Sequence, residues 1–366
     1  MGVSEFGGNS EVVQRLREML GRGRLAPSLI LAGPRGSGKY TLAQMLAKAM
    51  HCLAPPPGGL PDFCGDCAAC WRIGQADDLE ARCSEAVEAR EALRETDRRE
   101  TRILVQTHPD VLIVPPDPPQ MMIKVDQVRR VIGSVYRRPS SGRSRLFIFT
   151  DSAFMKEAAN ALLKVLEEPP EFASIMLLTD NPGELLPTIR SRCVTFTLAP
   201  LPAEEVERWL ARRRAEWSPA QRSLAARLSG GALGTALRFD FAKYNLARKD
   251  AMVLLQVGAG SGDHSALFRT TEAYRAGAEG RDKTEQLLRT LYSLLEDLAF
   301  LHSGTPELVK NQDMVRELEA LAARTSFSWL AAAAQQLGEV EAGMRRNLLR
   351  NLSLDAFAVS LEEAGE

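Results

Sequence analysis

Two groups of residues in this 366-residue chain have types and spacings that could do chemistry. The first is the run Gly33-Pro34-Arg35-Gly36-Ser37-Gly38-Lys39, which satisfies G-x4-G-K. Its glycines let backbone N–H groups turn toward a phosphate. The N-terminus of the following helix adds its positive dipole end, and Lys39 adds a full charge. The second is Cys52, Cys64, Cys67 and Cys70, with eleven, two and two residues between them. Four thiolates at this spacing suit a closed tetrahedral Zn²⁺ site with no open position for a substrate, so the metal would be structural. His51 and Cys83 are alternative ligands. Four metal-free core cysteines are the remaining reading, which the surrounding Pro/Gly loop disfavours because such loops make poor cores.

The phosphate loop lacks parts that hydrolysis needs. The position after Lys39 should be Ser or Thr, whose hydroxyl holds Mg²⁺. Here it is Tyr40. Thr41 lies one residue late, about 100° round the helix, and does not simply substitute. A second apolar strand ends at Asp151-Ser152. Its first acid is present, but a serine stands where a second carboxylate would act on water. Gly33, Gly36, Gly38, Lys39, Thr41 and Asp151 therefore read as a phosphate site that is vestigial for catalysis. Whether it holds ATP or ADP is open.

Several elements must position these groups. SLILA (28–32), SIMLLTD (174–180) and VTFTLA (194–199) read as strands, and VLIV (111–114) and RLFIFT (145–150) as buried strands. Amphipathic helical stretches alternate with them, which predicts an α/β domain with a mainly parallel sheet and helices on both faces. Residues 77–102 are dense in charge and read as a solvated helix or a hairpin arm, with disorder as the alternative, and the segment 77–107 has no assigned role. After Pro200 the strand signal stops. Residues 200–241 read as a small helical lid and 242–366 as a helical C-terminal domain, with a flexible turn at 258–263. Lys and Arg total 46 against 47 Asp and Glu, so nucleic-acid binding would need a local basic surface. Arg129, Arg130, Arg137, Arg138, Arg143 and Arg145 offer one, without interleaved aromatics for base stacking; a solvated basic face is the equal alternative. No signal peptide, myristoylation pattern or membrane-length apolar run is visible, so a soluble cytoplasmic protein is expected.

HPD (108–110), NALLKVLEEPP (160–170) and LLPTIRSRC (185–193), taken in this order with the cysteine run, closely resemble the clamp-loader subunits of bacterial DNA polymerase III. Within that family the phrase TDSAFMKEAANALLKVLEEPP is more similar to delta-prime subunits than to the gamma/tau motor. The resemblance implies an AAA+ P-loop domain over 1–199, carrying a zinc module (52–70) and the charged insertion (77–107). It implies a lid over 200–241 and an oligomerising collar over 242–366. It supports the same four cysteines as zinc ligands. In AAA+ motors of this type the lid carries an arginine in G-x-x-R-x-A-L. The comparable stretch here is Gly231-Ala232-Leu233-Gly234-Thr235-Ala236-Leu237, with Gly234 at that position.

Arg192, in Ser191-Arg192-Cys193, is the arginine that in the family projects across a subunit interface toward ATP on the neighbour. A surface arginine in an ion pair is the plain alternative. The expected function is thus a stator, not catalytic on its own. It supports ATP-driven loading of the sliding clamp onto primed DNA and donates Arg192 in trans. The expected partners are the gamma/tau and delta subunits, the clamp and DNA, with no membrane. The alternatives are a gamma/tau-type motor with a divergent site and an unrelated AAA+ ATPase with a zinc ribbon.

Overall fold

The computed structural model describes residues 2–23, 25–141, 143–275, 277–345 and 348–365. Met1 and Glu366, the outer bounds of the expected domains, lie outside them. The chain divides into two compact units. One comprises Met1–Trp209 with Ser229–Thr235, the other Leu210–Leu228 with Ala236–Glu366.

The first unit runs α1 (Ser10–Gly21), β1 (Ser28–Ala32), α2 (Lys39–His51), α3 (Ala68–Gly74), α4 (Leu79–Glu91) and α5 (Glu95–Glu100). It continues through β2 (Val105–His108), β3 (Val111–Val114), α6 (Val125–Val135), β4 (Arg145–Phe149), α7 (Lys156–Glu167), β5 (Ala173–Thr179), α8 (Pro187–Arg190) and β6 (Val194–Thr197). The sheet order is β2-β3-β4-β5-β1-β6, parallel throughout except for the β2–β3 pair. β1, β3, β4 and β5 are apolar at nearly every position because both faces are covered. Ile30, Val114, Phe147, Phe149 and Leu177 pack with α6 and α7 on one face. Leu29, Leu31, Ile113, Ile148 and Met176 pack with α1, α2 and α3 on the other. The antiparallel edge strand β2 was not among the expected strands. Its sequence, VQTH, has one aliphatic residue, and pairing with β3 rather than its own pattern defines it.

The charged insertion forms α4 and α5, neither with a fully buried residue, as its composition predicts. Asp78 caps α4 by accepting the Ala81 N–H at 3.0 Å. The half-buried Leu79 and Cys83 touch the main core. The stronger tether is electrostatic. The fully buried carboxylate of Asp117 pairs with Arg90 of α4 and with Lys124, each at 2.9 Å, and accepts the Ile103 N–H at 3.0 Å.

The second unit is helical: the end of α9 (Ala203–Arg213), α10 (Pro219–Leu228), the end of α11 (Leu233–Leu237), α12 (Phe241–Gly258), α13 (His264–Glu272), α14 (Gly277–His302), α15 (Val315–Ala322), α16 (Phe327–Arg345) and α17 (Arg350–Gly365). Its core gathers Leu254, Leu291, Leu294, Trp329, Leu337 and Phe357, with α12 and α16 both packed on α17. The buried Asp297 of α14 accepts N–H groups of Lys310 and Asn311, fixing the loop that precedes α15. Among the described residues no helix is long and apolar enough to cross a membrane.

Removing one partner from a buried ion cluster leaves the others uncompensated, at a cost of about 3 kcal/mol or more. Asp117→Ala is therefore expected to lower urea-unfolding stability by about 3 kcal/mol. A loss within a few tenths of a kcal/mol of zero would mean that the insertion is not held by this cluster.

Candidate functional site

In a mainly parallel sheet the carboxyl ends of the strands carry the ligand-binding loops. Here the ends of β1, β4 and β5 bring together Gly33–Lys39, Asp151-Ser152 and Thr179-Asp180. The Gly33 N–H donates to the Thr179 carbonyl at 3.2 Å, tying the loop to the end of β5. Gly33 and Gly36 have φ of +152° and +81°, and a Cβ on Gly33 would stand 2.6 Å from the Leu198 carbonyl. The loop thus has the form that its spacing predicts.

Tyr40, Asp151 and Ser152, which stand at its catalytic positions, are engaged by internal partners. The Tyr40 hydroxyl donates to the Ala76 carbonyl at 2.5 Å and accepts from Gln44 at 2.8 Å. Burial pushes its ionisation far above the usual phenol range, so the group stays neutral and offers a metal no charge. Thr41 is exposed. Asp151 accepts the Ala153 N–H at 2.8 Å, and the Ser152 hydroxyl donates to Glu184 at 2.8 Å. Gly234 donates its N–H to the Gly36 carbonyl at 2.8 Å, and a Cβ on Gly234 would lie 2.7 Å from that oxygen. No side chain, least of all an arginine, fits there without displacing the loop. Lys39 is turned inward onto the carbonyls of Gly33 and Pro34 and onto Asp180.

Arg192 follows α8. Its Nε donates to Glu167 Oε1 at 2.9 Å, one terminal nitrogen pairs with the same carboxylate, and the other donates to the Thr188 carbonyl at 2.8 Å. The guanidinium is 32% exposed, held at the end of α7 but open to solvent. Its neighbour Cys193 is half-buried, and burial pushes its thiol up to about 12.

The four expected cysteines converge. One sulfur from each of Cys52, Cys64, Cys67 and Cys70 lies within 4.8 Å of the others, and none is in a disulfide. Backbone N–H groups of Leu53, Cys64 and Cys67 point at these sulfurs at 3.3–3.4 Å. Burial opposes ionisation of Cys67, but N–H donors from Cys70 and Leu53 outweigh it and bring the thiol down to about 6. An all-sulfur set with one poised thiolate, on a chain that folds around it, is positioned to bind a metal ion. Neither His51 nor Cys83 joins this set among the described residues.

His51 belongs to a second group with His108 and Asp110 of HPD, all three buried. This group is better suited to be a latch than a metal centre. Asp110 accepts the N–H groups of Ser140 and Ser141 at 2.8 Å, and Arg145 stands 4.0 Å away. The His108 Nδ1 accepts the Asp110 N–H, which leaves its proton on Nε2 and no free lone pair for a cation. The group fixes the loop before β4. Within the basic cluster the geometry divides the residues. Arg145 is buried and donates to the carbonyls of Ser134 and Pro109. Arg143 donates to those of Met50 and Cys52. Arg129, Arg130, Arg137 and Arg138 remain exposed.

Sequence reasoning missed Asp180, Glu167 and Glu184 as partners of the site. Asp180 ends the SIMLLTD strand, next to the P-loop strand once the sheet is formed, and that adjacency is the only signal that could have found it.

Comparison with known proteins agrees with this geometry. The family model described as DNA polymerase III, delta subunit, matches residues 8–89 and 78–202, more than half of the chain, and its C-terminal counterpart matches 266–354. A DNA polymerase III subunit delta' of Pseudomonas aeruginosa is 34% identical over 60% of this chain and 57% of its own length. The Escherichia coli subunit delta' is 35% identical over 62% of this chain and 65% of its own length. The alignments thus span less than two thirds of either relative. The subunit delta' of Yersinia pestis is 27% identical over 92% of this chain and 94% of its own. Subunits named tau or gamma match at 26–29% identity. The sequence motifs, the sheet with its P-loop and the two matching family models together make this chain a member of the DNA polymerase III delta subunit family.

Proposed function

We propose that the chain is a delta-prime-type stator of a DNA polymerase III clamp loader, acting in the cytoplasm as a fixed member of a hetero-oligomer. Residues 1–199 would serve as its AAA+ domain, 200–241 as the lid and 242–366 as the collar that joins the gamma/tau and delta subunits. The observation that carries this reading is the contact between Gly234 and Gly36. Where a motor needs an arginine reaching toward phosphate, this chain has a backbone hydrogen bond that closes the space. Tyr40 and Ser152, each satisfied by internal partners, support it. So do two relatives named delta' at 34% and 35% identity, above the 26–29% of those named tau or gamma. A gamma/tau-type motor would need all three parts restored.

Arg192 is the group such a stator would contribute to a neighbour's ATP. A guanidinium placed on a developing phosphoryl transition state is worth about 10³–10⁵ in rate. Its pairing with Glu167 would then hold it in the free subunit and yield at the interface. In a reconstituted loader with clamp and primed DNA, Arg192→Ala should lower single-turnover hydrolysis at the adjoining site by about 10³-fold. The isolated chain should show no turnover. Hydrolysis by the isolated chain, together with an unaffected complex, would favour the motor.

Zinc is the metal that the four thiolates suit best, because a closed tetrahedral sulfur set with no open position matches structural Zn²⁺. Held there, it would join the end of α2 to the start of α3. Metal analysis of the purified chain is expected to find one zinc ion per chain, and Cys67→Ser to lose it together with thermal stability. A zinc-free chain with unchanged melting would refute the assignment.

Arg137 and Arg138 are the exposed residues assigned here to primed DNA. Their double alanine variant should weaken binding by the assembled loader equally across sequences and reduce the salt slope by about 2. Equal affinity and equal slope would return them to a solvated surface.

A further inference from the structure

A lysine ammonium has three N–H donors and no acceptor. On Lys39 all three have acceptors inside the domain: the Gly33 carbonyl at 2.6 Å, the Pro34 carbonyl at 3.0 Å and Asp180 Oδ1 at 2.7 Å. Two are neutral oxygens of the loop itself. The third is a carboxylate from the strand end next door, its side chain 56% exposed against 10% for Lys39. A negative charge therefore already stands where a glycine-rich loop presents its lysine to an anion. The backbone form of the loop is preserved. Gly36 and Gly38 keep the left-handed backbone that the loop requires, and the Ser37 hydroxyl is buried with no hydrogen-bond partner.

We propose that Asp180 is an internal anion that holds this loop shut, competing with the diphosphate of a nucleotide for Lys39. The loop is then latent rather than lost. Its occupancy is set by a side chain on the adjacent strand, not by decay of the glycine-lysine motif. Opening costs little, because a half-exposed carboxylate can rotate into water and recover its hydration without any core residue moving. Such an ion pair is weak, so a ligand with more than one negative charge, met by the lysine and the helix N-terminus, can displace it. The stator reading holds whether the loop is open or shut, and the two fail by different experiments.

The test is calorimetric titration of the purified full chain with ADP in the absence of magnesium. It compares the parent chain with Asp180→Asn, Asp180→Ala and the double variant Asp180→Asn/Lys39→Gln, each checked for an unchanged thermal melt. Both single variants are expected to bind ADP more tightly than the parent, by up to about fivefold. Inorganic pyrophosphate should show the same order, and the gain should vanish in the double variant. Single variants that bind no more tightly than the parent, whether all bind or none does, would overturn the proposal. A gain that survives loss of Lys39, or that adenosine shows equally, would also overturn it.

Discussion

β1 is hydrogen-bonded to β5 on one side and β6 on the other, and is covered on both faces. A strand so enclosed cannot shift, so the chain can change direction only where it leaves the sheet. That constraint fixes the glycine loop, the turn after β4 and the turn after β5 along one edge. Every group discussed for phosphate chemistry stands on one of those exits or on what packs against them. Parallel strands with covered faces dictate the location, while the individual residues decide what can be done there.

The missing motor parts are not empty positions. A buried polar group without a partner costs about 1–3 kcal/mol, and each altered residue has found one. Tyr40 reaches Ala76, Ser152 reaches Glu184, and the amide of Gly234 sits on the carbonyl of Gly36. The site has been repacked around internal contacts, so restoring any one motor residue would break an existing bond as well as add a new one. Arg192 contrasts with these because it keeps contact with solvent while anchored to Glu167. The same local physics gives a site turned inward and a cation that still faces outward.

The Pro/Gly segment of the cysteine module and the charged insertion have the opposite problem, since neither has much apolar surface to dock by burial. The Pro/Gly segment between Cys52 and Cys64 is gathered by four sulfurs and the N–H groups aimed at them. The insertion is gathered by Asp117, buried beneath Arg90 and Lys124. Directional and charged contacts are used where hydrophobic area is scarce, and the main core supplies the rest of the stability.

Much of this was written in the sequence by itself. The apolar runs gave the strands, the glycine-lysine spacing gave the loop, and the cysteine spacing gave the metal-binding set, because each is a local pattern read over a few neighbouring residues. The substitutions Tyr40, Ser152 and Gly234 were equally visible, being single positions inside recognisable motifs. Strand β2 was not, since one valine carries no periodic signal and its partner supplies the pairing. Nor could sequence separate Arg143 and Arg145, which brace backbone carbonyls, from Arg137 and Arg138, which face water; six arginines on one stretch look alike until the fold buries Arg145 and gives Arg143 its carbonyl partners. The pairing of Lys39 with Asp180 belongs to the tertiary structure alone. Those residues are 141 positions apart, and only the register of β1 against β5 brings the carboxylate to the ammonium.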